Sequence, residues 1–125
     1  MFQVVETTGA AGGFPYSQGI RAGDFLFISG QGPLDPNTSE IVGKDIREQT
    51  RLTLQSVKAI VEAAGLSLSD VVKVTVILAD QSLYDDFNEV YRTFFSEPLP
   101  CRILVVAGLF DILVEVDVVA YAGEK

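Results

Sequence analysis

The chain has no histidine, no tryptophan and a single cysteine, Cys101, in 125 residues. Without imidazole it has no ordinary neutral-pH base, no Ser-His or Cys-His dyad and no histidine-dependent zinc site. One cysteine excludes an internal disulfide, a CxxC redox pair and a thiolate cluster, and Cys101 reads as a small buried hydrophobe rather than a reactive thiol. Basic residues are also scarce, nine against seventeen acidic for a net charge of −8. That balance disfavours neutralising nucleic-acid phosphates or anionic lipid, so neither nucleic acid nor membrane is expected as a partner. Long apolar runs are missing: the longest, Ile103 to Phe110, is too short to cross a bilayer, and the opening Met1 to Glu6 lacks the features of a signal peptide. A cytoplasmic location is the expectation. Any catalysis must come from carboxylate, phenol, amide, arginine or backbone groups.

What is present fits one domain over residues 1–125, with 48% hydrophobic residues to build its core. No repeat or flexible linker interrupts it. Ser17 to Arg21 and Asp24 to Ser29 flank Ala22-Gly23 as a hairpin, with Leu26 and Ile28 alternating against Phe25 and Phe27. Asp35-Pro36-Asn37-Thr38 forms a turn. Asp45 opens a helix with Glu48 at capping-box spacing, and Thr50, Leu54, Val57, Val61 and Ala64 recur at helical intervals until Gly65. Val72, Val74, Val76 and Leu78 mark a strand. Ser82 with Asp85 reads as a second cap, and Leu83, Phe87, Val90, Tyr91 and Phe94 form the stripe of a helix that must end before Pro98. Two last strands lie around residues 103–107 and 113–121.

This order predicts an α+β fold in which two helices cover one face of a mixed sheet. The other face is rich in Val, Ile and Phe as well. A sheet apolar on both sides, with helices enough for one, needs a second covering layer, and a neighbouring copy of the same sheet supplies it. The positive mean hydropathy, +0.31, points the same way. An obligate oligomer is therefore expected.

Arg102 is the residue most suggestive of chemistry, one cation inside the apolar run from Pro100 to Val106. Its planar fork stays charged and grips carboxylates through two parallel hydrogen bonds, so it holds either a carboxylate ligand or an internal partner. Glu115 and Asp117 share one face of the last strand, opposite Val114, Val116 and Val118, and strand geometry permits both to point towards Arg102.

Several segments together resemble the Rid family, the YjgF-like reactive-intermediate deaminases. They are Pro15-Tyr16-Ser17-Gln18, Ile28 to Pro36, Val57 to Gly65, Asp70 to Val76, Phe87 to Tyr91, Pro100-Cys101-Arg102 and Val114 to Ala120. The resemblance implies a chorismate-mutase-like homotrimer with a six-stranded sheet in each subunit, helices outside and clefts between subunits. It implies hydrolysis of enamines and imines such as 2-aminoacrylate and 2-iminobutyrate to 2-oxo acids and ammonia, with no metal and no cofactor. Carried over, Arg102 would hold the substrate carboxylate, Glu115 would act as base on a bound water, and Tyr16 would close the cleft and assist proton transfer. Ser29, Gly30 and Asn88 would add substrate contacts. An alternative use of the same cleft is to bind a 2-oxo acid or similar carboxylate without turnover. The chain departs from the family pattern at Phe14, Ile103 and Phe110, and its Arg102 to Glu115 interval is shorter by about two residues, which leaves Asp117 as a competitor for the base and bulk at Phe14 and Ile103 as a selector of the imine.

Overall fold

The computed structural model describes residues 2–124. Six strands form one sheet: β1 (Phe2–Val5), β2 (Gly19–Ala22), β3 (Phe25–Gln31), β4 (Val71–Leu78), β5 (Cys101–Val106) and β6 (Val114–Tyr121). Their order across the sheet is β1-β2-β3-β6-β4-β5. Only the β4–β5 pairing is parallel. Helix α1 (Ile46–Ala63) connects β3 to β4, and α2 (Tyr84–Tyr91) makes the crossover that a parallel β4–β5 pair requires. The expected mixed sheet with two helices is what forms.

Strand periodicity sorts the side chains. Leu26, Ile28, Val74, Val76, Leu78, Val114, Val116, Val118 and Ala120 face the helices and are buried with Leu54, Val57, Ile60, Val61 and Phe87 in one core. Each fully buried large side chain contributes about 1.5–3 kcal/mol by its removal from water. Phe25, Phe27, Ile103 and Val105 point to the opposite face and stay 42–50% exposed, so that face carries the second apolar layer anticipated from the sequence.

Local signals place the helices. Asp45 caps α1, its side chain accepting from the Glu48 amide at 2.9 Å, and Gly65 ends the helix at a φ of +81°, which a side chain adopts only with strain. Buried Gln49 ties α1 to the start of β6, accepting from the Leu113 amide and donating to the Gly43 carbonyl. Three expectations need correction. Asp80, not Ser82, is the cap before α2: its carboxylate accepts from the Ser82 amide and starts a single 3₁₀ turn at Gln81–Leu83 that runs into the helix. Val72 leaves the buried row because the β4–β6 register shifts between Val71 and Lys73, turning it outward at 41% exposure. Cys101 is exposed, its thiol donating to the Val72 carbonyl at 3.1 Å, because it occupies an edge strand on the side away from the helices. No helix among the described residues is long and apolar enough to cross a membrane.

Thr50 and Thr53 of α1 are fully buried, and their hydroxyls have no hydrogen-bond partner among the described residues. An unpaired buried hydroxyl costs about 1–3 kcal/mol, and valine keeps the shape without it. Thr53→Val is expected to raise the thermal unfolding midpoint, corresponding to about 1 kcal/mol; a lowered midpoint by calorimetry would show that this hydroxyl finds a partner.

Candidate active site

Arg102 enters from the edge strand β5, and its neighbour in register is Val74, which in turn faces Val118 on β6. Residues directly opposite on paired strands share a face, so Arg102 lies on the helix-covered side. There its guanidinium sits over the Tyr91 ring, 4.7 Å from the centroid, and 5.7 Å from that of Phe87. Asn88, one turn from Tyr91 on α2, accepts from Nη1 at 2.8 Å. Among the described residues, no carboxylate lies within ion-pair distance of this half-buried cation. The ion pairs formed there belong to Arg47, which bridges from α1 to Asp86 and Glu89 of α2. Most of the Arg102 donor fork is therefore uncommitted.

Glu115 lies on the other side of the sheet. Its register partner is Ile77, which pairs with Val105 on β5, three residues from Arg102. An odd offset reverses the face, so Arg102 does not meet Glu115 or Asp117 of its own chain. This excludes, within one chain, both the arrangement that strand geometry permits, with the two carboxylates towards the arginine, and an ion pair of Arg102 with either of them. The sequence showed that Glu115 and Asp117 share a face, and the cross-strand register that decides which face is a property of the pairing.

The structure brings Glu115 together with Gly30. Between the pairs Ile28–Val118 and Gln31–Val116, β3 carries two residues, Ser29 and Gly30, against the single Asp117 of β6. This bulge turns the Gly30 backbone towards Glu115, and a Cβ there would stand 2.5 Å from Oε2 and 2.9 Å from Cδ. Glycine is required for that approach. Burial pushes the Glu115 carboxyl above the ordinary glutamate range, and the charge of Asp117 on the same face adds to the rise. A carboxyl shifted in this direction is better matched to exchanging protons near neutrality.

Tyr16 stands beside this second group. It is 54% exposed and stacks on Phe14, with ring centroids 5.5 Å apart and planes 8° from parallel. Phe14, Tyr16, Gly30 and Gln31 line one shallow hollow. Ser29 Oγ donates to the Ser17 carbonyl at 2.6 Å, which commits its proton to the chain that carries Tyr16. The candidate residues thus fall into two groups, or candidate half-sites: Arg102 with Asn88, and, linked through Gly30, Tyr16 and Ser29 with Glu115. Two contributors were not singled out from the sequence. The helical stripe marks Tyr91 as buried core, although its spacing from Asn88 and Phe87 puts all three on one side of α2. Gln18 carries no sequence signal of its own beyond its place at the end of Pro15-Tyr16-Ser17-Gln18. Among the described residues, no group of three or more Cys, Asp or Glu is arranged to hold a metal ion.

Comparison with known proteins sets these features in a family. The profile of the endoribonuclease L-PSP family matches residues 8–122. A RutC family protein of Pyrococcus horikoshii is 52% identical over 109 residues, covering 86% of each chain. TdcF of Escherichia coli, provisionally named a reactive intermediate deaminase, is 41% identical over 126 residues, 96% of this chain and 97% of its own. The crystal structure of E. coli TdcF with bound serine superposes with a TM-score of 0.90 at 40% identity, over 97% of this chain and 99% of that one. RidA from an Antarctic Psychrobacter gives a TM-score of 0.89 at 39% identity, over 95% and 98%. The match along nearly the whole length, in sequence and in fold, makes this chain a member of the Rid family, the YjgF-like proteins also called endoribonuclease L-PSP.

Proposed function

We propose that the protein hydrolyses small 2-imino and 2-enamino acids to 2-oxo acids and ammonia, at clefts completed between copies of the chain in a chorismate-mutase-like homotrimer. The observation that carries this reading is Arg102: a half-buried guanidinium, steadied by Asn88 and Tyr91, with no carboxylate partner among the described residues. Such a cation fits an anionic ligand. The serine held by TdcF is a small carboxylate of that class. The deaminase activity in the provisional name of TdcF supports the reaction. Assembly is supported by the two half-sites, because opposite faces of one sheet do not share a small ligand whereas two copies could, and by the exposed apolar face that a neighbour would cover.

In this reading Arg102 of one copy holds the substrate carboxylate in a bidentate pair, and Glu115 of a neighbour faces the imine carbon with a water between. The water oxygen bonds to that carbon as its proton passes to Glu115, and the C=N electron pair moves to nitrogen. Glu115 returns the proton to nitrogen, giving a carbinolamine; it then takes the hydroxyl proton and passes it to the nitrogen as the C–N bond breaks, so that ammonia leaves and the 2-oxo acid remains. An enamine first takes a proton on its terminal carbon and gives up one from nitrogen to become the imine. Tyr16 covers the cleft and assists proton transfer. The raised Glu115 pKa suits a group that must both take and give a proton. These steps use neither metal nor cofactor, and the net charge of −8 disfavours an RNA substrate.

A second reading is favoured by the separation of Arg102 from Glu115 within one chain. The arginine half alone would bind a 2-oxo acid without turnover. A melting shift on adding 2-oxobutyrate, with no acceleration of imine hydrolysis, would establish it.

Arg102→Ala leaves the substrate carboxylate unpaired, at about 2–5 kcal/mol, so kcat/KM for 2-iminobutyrate made in situ by a dehydratase should fall roughly 30-fold to several thousand-fold. Unchanged turnover in that variant removes the arginine from the site. Ile103→Asp sets a charge on the exposed apolar face, at its β5 edge, and is expected to shift the protein to a smaller species by light scattering; an undisturbed oligomer would place the interface elsewhere.

Glu115→Gln tests the carboxyl through stability. The folded pKa lies above the unfolded value of about 4.3, so the stability that Glu115 contributes is fully present below that value and is lost as pH rises through the folded pKa. Glutamine avoids that loss. The variant should therefore melt with the wild type in acid and above it at pH 7, and a difference that does not change with pH would contradict the raised pKa.

A further inference from the structure

We infer that Gln18 is a positioning residue for Tyr16, the clasp that gives the connection between β1 and β2 a fixed shape; the inference rests on the deaminase reading of Tyr16. That connection contains Gly9, Gly12 and Gly13, with Gly13 at a φ of +83°, and such a stretch loses much conformational entropy when ordered. Among the described residues, no hydrogen bond between backbone groups ties residues 7–17 to the rest of the protein, and the one regular feature within them is a local turn at Thr8-Gly9. Order there has to come from side chains.

Gln18 supplies most of it. Its Oε1 accepts from the Thr7 amide at 2.7 Å, and the two hydrogens of its Nε2 serve the carbonyls of Thr7, Ala10 and Ala11 at 3.0–3.1 Å, one of them shared between two acceptors. One primary amide thus serves the near end of the connection as a strand partner would, with donor and acceptor both used. The segment it grips is seated: Ala10 and Ala11 are buried, and a Cβ on Gly9 would come within 3.0 Å of Ala59 on α1. The far end is pinned from the sheet, where the Ser29 amide donates to the Gln18 carbonyl at 2.9 Å and Ser29 Oγ donates to that of Ser17. Tyr16 lies between these two anchorages, 54% exposed and stacked on Phe14, which belongs to the same loop. With more than half of its surface open, its place in the hollow it shares with Gly30 depends on the clasp more than on packing of its own ring.

Gln18→Glu keeps the size and the acceptor for Thr7 but turns lone pairs towards three carbonyls. With the oligomer and the far-ultraviolet spectrum unchanged, kcat/KM for 2-iminobutyrate hydrolysis should fall at least about 10-fold. If Gln18 acts through Tyr16, the same change in a Tyr16→Ala background should cost less than about 2-fold more, since effects routed through one group do not add. Undiminished activity in Gln18→Glu, or losses that simply multiply in the double variant, overturns the inference. Hydrogen exchange on the wild-type protein gives a second reading that does not depend on a variant folding: the Thr7 amide should be protected, and exchange at the rate of an unstructured peptide rules the clasp out. A wild-type protein that hydrolyses no imine while its Thr7 amide is protected defeats the deaminase reading and, with it, the role of the clasp in catalysis; an active wild type with an unaffected Gln18→Glu defeats this inference alone.

Discussion

The alternation along β6 is the constraint on which the molecule depends. This strand lies between β3 and β4, and every second residue from Val114 to Ala120 is sunk beneath the helices. A slip of one residue would exchange those valines for Glu115 and Asp117, removing several large apolar groups from the core and burying two carboxylates in their place. The same alternation that makes the core thus delivers the carboxylates to the other face. Stability and chemistry are written on alternate letters of one strand.

Each half-site is held by a different kind of physics. Arg102 is steadied by aromatic faces and one amide, partners that fix its direction without neutralising it. Glu115 is placed by a backbone irregularity, since the extra residue at Ser29 and Gly30 lets main chain approach the carboxylate where a side chain would collide with it. The placing of Arg102 is therefore independent of the register of β3, and that of Glu115 is defined by it.

Much of this was legible before the fold was known. The helix from Asp45 to Gly65 carried its own cap and stop, and the alternation of Leu26 and Ile28 with Phe25 and Phe27 marked β3 as a strand, though with both sets apolar it did not say which would be buried. The surplus of apolar residues on the open face followed from counting helices against sheet faces. What escaped notice depended on relations between distant segments. The outward turn of Val72 comes from a register shift against β6, and the exposure of Cys101 from the position of β5 at the edge of the sheet. The opposite facing of Arg102 and Glu115 required knowing that β4 intervenes between their strands with an offset of three residues. The cap of α2 failed for a local reason: Ser82 and Asp85 have the right spacing, but Asp80 begins the turn earlier with the stronger acceptor.

The ring of Tyr91 screens one broad side of the Arg102 guanidinium. A carboxylate taking both parallel hydrogen bonds then meets the fork edge-on and lies in its plane. In a conjugated imino acid the trigonal carbon is coplanar with that carboxylate, so its two π-lobes project above and below the fork. If such a ligand binds, the tilt of the Tyr91 ring would set the plane of the trigonal carbon, and the side from which the neighbouring Glu115 approaches would choose the lobe and hence the handedness of the tetrahedral adduct.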